Sequence, residues 1–277
     1  MSKVFVINPE KCVGCYSCQI VCKDEHVGND WSPIAKPQPD TGHFWMKMNE
    51  WERGSTPKVF VSYVAKPCQH CKNAPCEKVS DGAVYRREDG LVIIDPEKAK
   101  GNKKIMEACP YNAVYWNEEL NIPQKCTGCA HLLDDGWEKP RCVAACAHDA
   151  ILFGEYDEFK DLLEGDEYEV TQLKADVDTQ PSVYYLNYPK EFIAGEVADL
   201  EEDEVLIGAK VVLTNTETGE TCETETDEFG DFWFKRVGKG VWTLDIEAEG
   251  YKPRHVTDFL DTNNGDINTG VIALSKN

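Results

Sequence analysis

No apolar run in this 277-residue sequence approaches the roughly 20 residues that a membrane-crossing helix needs. The opening MSKVFVINPEKC has no apolar leader stretch and reaches a cysteine at once, so no signal peptide is expected. Positive charge is scarce, with 29 Lys and Arg against 50 Asp and Glu, a formal net charge of −21. The part from Glu191 onward holds 20 acidic and 7 basic residues, the densest negative charge in the chain. Such a surface repels phosphate backbones and anionic bilayers, which removes nucleic acid from the expected partners. Also missing are a glycine-rich phosphate loop, a Ser/His/Asp set and a persuasive carboxylate pair. No catalytic residue is therefore assigned, and substrate chemistry is not expected of this chain.

Cysteine is the residue present in excess. There are thirteen, twelve of them between Cys12 and Cys146. Cys-x-x-Cys groups in a chain without a signal peptide read as metal ligands rather than as a disulfide framework. Three regions separate by composition. Residues 1–154 hold the cysteine groups, with short strands expected at KVFVIN (3–8) and GLVIID (90–95). Residues 155–190 begin as a helix, EYDEFKDLLEG, and end in an extended aromatic tail, PSVYYLNYPK, expected to pack on the first domain or on a partner. From 191 to 277 short alternating runs such as AKVVLTN, DFWFKRV and VWTLDIEA are punctuated by turns, the pattern of an antiparallel, immunoglobulin-like β-sandwich. Phe232 and Phe234 would share one strand face, as would Trp242, Leu244 and Ile246. Cys222 stands alone there and reads as a small half-buried side chain.

The first group, Cys12, Cys15, Cys18 and Cys22, has the Cys-x2-Cys-x2-Cys-x3-Cys spacing of bacterial ferredoxins. In that pattern three thiolates hold one cubane and the fourth reaches to another cluster. Lys23 stands where a proline is usual. Zinc is the plainer alternative, but four cysteines within eleven residues overfill one zinc site. The last group, Cys126, Cys129, Cys142 and Cys146, is the complement. Cys12, Cys15 and Cys18 take Cys146, while Cys126, Cys129 and Cys142 take Cys22. By the same rule Cys68, Cys71 and Cys76 take Cys109, in ACPYNA. A fourth cluster would need positions 80, 99, 102 and 105, and these hold Ser80, Ala99, Asn102 and Ile105. All four of its ligands are absent together, and no other set lacks one, so that site was removed whole. The spacing thus predicts three [4Fe–4S] clusters.

His70, His131 and His148 flank the groups. Rieske-type ligation would fit only a set short of cysteine, so they are expected to hydrogen-bond near sulfur or backbone. The insert DWSPIAKPQPDTGHFWMKMNEWERG (30–54) has two readings, a satellite of the core or a docking surface with exposed Trp and Met.

The four-group layout resembles the iron–sulfur electron-transfer subunits of the dimethyl sulfoxide reductase family of molybdenum enzymes. GAVYRREDGLVIIDPEKAKG (82–101), CPYNAVYWNEE (109–119) and QKCTGCAHLLDD (124–135) narrow the likeness to the small subunits of transhydroxylases of the pyrogallol–phloroglucinol type. The resemblance implies a double ferredoxin-like α+β domain, three clusters on the same twelve cysteines and a C-terminal sandwich. It also implies a large partner subunit holding molybdenum or tungsten on a pterin, which transfers, removes or adds hydroxyl groups on polyhydroxylated aromatics under anaerobic conditions. In four-cluster relatives the cluster missing here lies farthest from molybdenum, beside a membrane subunit, so no membrane anchor is expected. Cytoplasmic localisation follows most simply, unless a partner with a twin-arginine signal carries the chain outward. The alternative is a free-standing polyferredoxin with a sandwich interaction module.

Overall fold

The computed structural model describes residues 2–174, 176–258 and 260–277. The chain divides into two compact units, residues 1–50 with 63–188, and residues 51–62 with 189–277.

The first unit is organised by a four-stranded sheet in the order Ile151–Glu155, Lys3–Ile7, Val183–Leu186, Val170–Thr171. Lys3–Ile7 is inner and buried on both faces from Val4 onward, which explains why its run VFVI (4–7) is apolar throughout rather than alternating. Phe5 and Ile7 enter the core that holds the buried Cys18, Cys22, Cys68, Cys126 and Cys142, while Val4 and Val6 pack with Leu163 and Leu186 on the opposite face. The aromatic tail supplies more than a strap. Val183–Leu186 pairs in parallel with the first strand, Phe5 opposite Val183, and Ile151–Glu155 pairs antiparallel on its other edge. The expected helix after Glu155 begins as a 3-10 turn, Tyr156–Phe159, closed by a capping box between Glu155 and Glu158, and continues as a short α-helix, Lys160–Glu164.

Between these strands the chain alternates cysteine loops, single-turn helices and two hairpins, Val84–Arg86 with Val92–Ile94 and Val114–Asn117 with Ile122–Lys125. The ten-residue helix Ser17–His26 carries Cys18 and Cys22 one turn apart, hence on one face. In the insert, Trp45, Met46 and Met48 are buried, and the Trp45 ring lies 4.5 Å from that of His26. These three side chains are therefore part of the core, packed with Cys18 and Cys22 of that helix. Trp51 is 38% exposed.

The second unit is a two-sheet sandwich. One sheet joins Glu191–Asp199 to Glu204–Val205, Asp231–Val237 and Ile267–Ala273, and the other runs Thr221–Glu225, Lys210–Asn215, Trp242–Glu247, Arg254–Val256. Phe232 and Phe234 from the first sheet meet Trp242, Leu244 and Ile246 from the second in one core. One pairing departs from the antiparallel expectation. Glu191–Asp199 and Ile267–Ala273 run parallel, a choice that side-chain alternation cannot reveal because it is identical in both directions. Cys222 lies half-buried opposite Leu213 and packs against the core.

Candidate metal centres

None of the twelve N-terminal cysteines is in a disulfide, and one local geometry recurs among them. The residue two positions after the first cysteine of each group has left-handed backbone: Gly14 (φ +67°), His70 (φ +44°) and Gly128 (φ +64°). That turn aims a backbone N–H back at the sulfur, from His70 to Cys68 Sγ at 3.5 Å and from Gly128 to Cys126 Sγ at 3.4 Å. A second turn follows the last cysteine of a group. Asn112 and Asp149 are left-handed, and the next amides, Ala113 and Ala150, donate to Cys109 Sγ at 3.5 Å and Cys146 Sγ at 3.3 Å. Loops of this kind stabilise a charged sulfur through fixed backbone dipoles.

Three groupings of thiols result. Cys12, Cys15, Cys18 and Cys146 line one hollow together with Met48, His148 and Ile151. Cys68, Cys71, Cys76 and Cys109 line a second with Val92, Tyr111 and Val114. Each hollow is lined by four cysteines and by apolar side chains. Cys22, Cys126, Cys129 and Cys142 are mutual neighbours and all buried. Their grouping lies between the other two, since Cys142 also borders Cys18 and Cys126 also borders Cys68. Among the described residues, no three His, Cys, Asp or Glu side chains converge as a single bare ion would need. Each hollow brings four cysteines together, a donor set that suits a polynuclear cluster.

Burial dominates the electrostatics. It pushes the thiols of Cys18, Cys71, Cys76 and Cys129 up to about 12 and that of Cys126 to about 11, with neighbouring thiols adding to the rise. Cys22 and Cys142 are raised well above the ordinary thiol value, again by burial first. Four thiolates cannot share such a space without positive charge among them, which iron would supply. Cys15 is the exception, exposed and lowered by its hydrogen bond to the Ser17 side chain.

The region of the missing fourth set is filled. Ala99 and Ile105 are fully buried in the core shared with Cys71 and Cys76. Asn102 donates to the Val79 carbonyl at 3.3 Å. Ser80 Oγ accepts the Val84 amide at 3.0 Å, the same four-residue bond that the sulfurs of Cys109 and Cys146 accept. The local turn persists while the cavity is packed with side chains.

The histidines stand beside the thiol groupings. His70 Nδ1 accepts the Val92 amide at 3.0 Å, His131 Nε2 is 3.1 Å from Glu25 Oε1, and His148 lines the first hollow. Three residues outside the cysteine spacing also stand at the groupings: Tyr63, whose ring covers Gly14, and Tyr115 and Lys125, which lie between two of them. The glycine inside Cys-x-Gly-Cys was the available signal for the first. Nothing local marked the other two.

A 4Fe-4S dicluster domain model matches residues 59–156, and a carboxypeptidase regulatory-like domain model matches residues 193–274. The pyrogallol hydroxytransferase small subunit of Pelobacter acidigallici is 38% identical over 275 residues, 97% of this chain and 98% of its own. A putative dimethyl sulfoxide reductase iron-sulfur subunit from Halobacterium salinarum is 36% identical, covering 66% of this chain and 78% of its own. A component of the anaerobic dimethyl sulfoxide reductase of Escherichia coli is 33% identical, over 56% of this chain and 75% of its own. With cysteine loops built to hold clusters and a likeness that runs from end to end, the chain belongs to the [4Fe–4S] electron-transfer subunits of the dimethyl sulfoxide reductase family of molybdenum enzymes.

Proposed function

We propose that this chain carries three [4Fe–4S] clusters and serves a large molybdopterin subunit, holding molybdenum or tungsten, that transfers, removes or adds hydroxyl groups on polyhydroxylated aromatics. The clusters are held by Cys12, Cys15, Cys18 and Cys146; by Cys22, Cys126, Cys129 and Cys142; and by Cys68, Cys71, Cys76 and Cys109. They supply storage and transfer of single electrons. The protein's part is to fix twelve thiolates, to direct backbone N–H groups at their sulfurs and to keep water away by burial. We further propose two ferredoxin-like halves within residues 1–154, a connecting segment over 155–190 and the sandwich over 191–277. The repeated left-handed turns after Cys12, Cys68 and Cys126 support that duplication.

The observation that carries the reading is the 98% coverage of a hydroxytransferase small subunit at 38% identity. Among the described residues no helix is long and apolar enough to cross a membrane; a complex without a membrane anchor is part of the same proposal and rests on the absent fourth cysteine set. Cytoplasmic localisation belongs to the same proposal.

Anaerobic purification through a tag on this chain tests it. The expected eluate contains about twelve irons per chain, plus a large subunit with a pterin-bound metal that turns over phenolic substrates. Iron at that level with no second chain would instead favour a free-standing polyferredoxin. Zinc in place of iron would overturn the assignment.

A further inference from the structure

Lys125 ends the strand Ile122–Lys125 and is only 3% exposed. An ammonium group has three donors and no acceptor, and its burial is costly unless it is paired with opposite charge. Here its hydrogen bonds among the described residues go to uncharged carbonyl oxygens, those of Val92 and, at 3.0 Å, Cys126. No carboxylate among the described residues pairs with it. Val92, whose carbonyl it bonds, lines the hollow of Cys68, Cys71, Cys76 and Cys109 and gives its amide to His70, while Cys126 follows Lys125 in the chain, so the ammonium stands near the thiols of Cys76, Cys109 and Cys126. Those thiols come from two different sets. Cys76 and Cys109 belong with Cys68 and Cys71, and Cys126 belongs with Cys22, Cys129 and Cys142. Lys125 is not among the residues that line the hollow of Cys12, Cys15, Cys18 and Cys146.

We infer that Lys125 is the shared buried counter-charge of two of the three clusters, raising their reduction potentials relative to the third. The inference rests on the cluster assignment proposed above. A cluster bound by four thiolates gains negative charge on reduction, and a fixed positive charge in a low-dielectric interior favours that gain. The arrangement also resolves an otherwise unpaired buried ion, because each partner supplies the charge that the other lacks. Lys125 is a positioning residue in this scheme, acting on potential without ligating iron.

The test is potentiometric titration of the anaerobically purified complex, followed by electron paramagnetic resonance, for wild type and for Lys125→Gln, Lys125→Met and Lys125→Arg. The wild-type iron count and number of signals are read first. Fewer than three clusters there would sink the assignment itself, independently of any variant. With three present, the neutral variants should show lower midpoint potentials for two signals and an unchanged midpoint for the signal of the Cys12 set, and Arg should restore the wild-type values. If the neutral variants lose iron from those two sets while Arg retains it, the counter-charge is again supported. Unshifted midpoints in an iron-loaded Lys125→Gln, an equal shift of all three, or loss of iron in the Arg variant as well would each overturn the inference.

Discussion

Gly14→Ala isolates the link between backbone geometry and cluster retention. Gly14 has φ +67°, and a β-carbon there would stand 2.5 Å from two ring carbons of Tyr63. Two costs follow. Holding an L-residue in left-handed backbone costs roughly 1–2 kcal/mol. Displacing the ring adds about 1–2 kcal/mol of overpacking, at the lower end of its usual range because Tyr63 is only partly buried and its ring can yield. The sum, about 2–4 kcal/mol, corresponds to a fall of about 5–15 °C in the unfolding temperature of a unit this size. Scans must share one rate, since cluster loss makes unfolding irreversible. The damage should centre on the first loop, so iron per chain falls and the signal of the Cys12 set weakens before the others. Repeating the substitution in a Tyr63→Ala background removes the ring contact and should leave only the backbone part, about 1–2 kcal/mol. Equal costs in both backgrounds would refute the contact, and no cost in either would refute the strained turn.

Three further outcomes are expected. Cys109→Ala should abolish the cluster of Cys68, Cys71 and Cys76 while sparing the other two, and electron paramagnetic resonance showing all signals intact would end that assignment. Trp242 is 1% exposed and its indole N–H donates to Thr262 Oγ1 at 3.2 Å, so Trp242→Ala should destabilise the sandwich by about 3–5 kcal/mol, measured by denaturant unfolding. Burial, aided by nearby His131, lowers His26 to about 3. The unfolded chain therefore binds that proton near its ordinary value of 6.5 while the folded chain refuses it, and stability should fall as pH drops from about 6.5 towards 3. His26→Gln should move the acid midpoint to lower pH, read by circular dichroism, and an unmoved midpoint would contradict the neutral, buried state of His26.

Features that depend on neighbours along the chain were legible in the residues alone. Cysteine spacing defined the loops because a ligand turn is only a few residues long, and Cys-x-Gly-Cys announced its left-handed residue. Alternation in 191–277 put Phe232, Phe234, Trp242, Leu244 and Ile246 on inner faces because strand period is local. The empty positions Ser80, Ala99, Asn102 and Ile105 were also visible from spacing alone. Tertiary structure decided what depends on register and on distant segments. The tail 183–186 became a parallel strand beside residues 3–7, although no local pattern distinguishes that from an extended strap. Trp45, Met46 and Met48 went to the core, where they pack with Cys18 and Cys22 of the helix Ser17–His26. Lys125 reads in the sequence as an ordinary charged residue before a cysteine. Only the pairing of its hairpin, Val114 opposite Lys125, turns it inward among thiols from two sets, because the facing of a charge is a property of strand register and not of the residue itself.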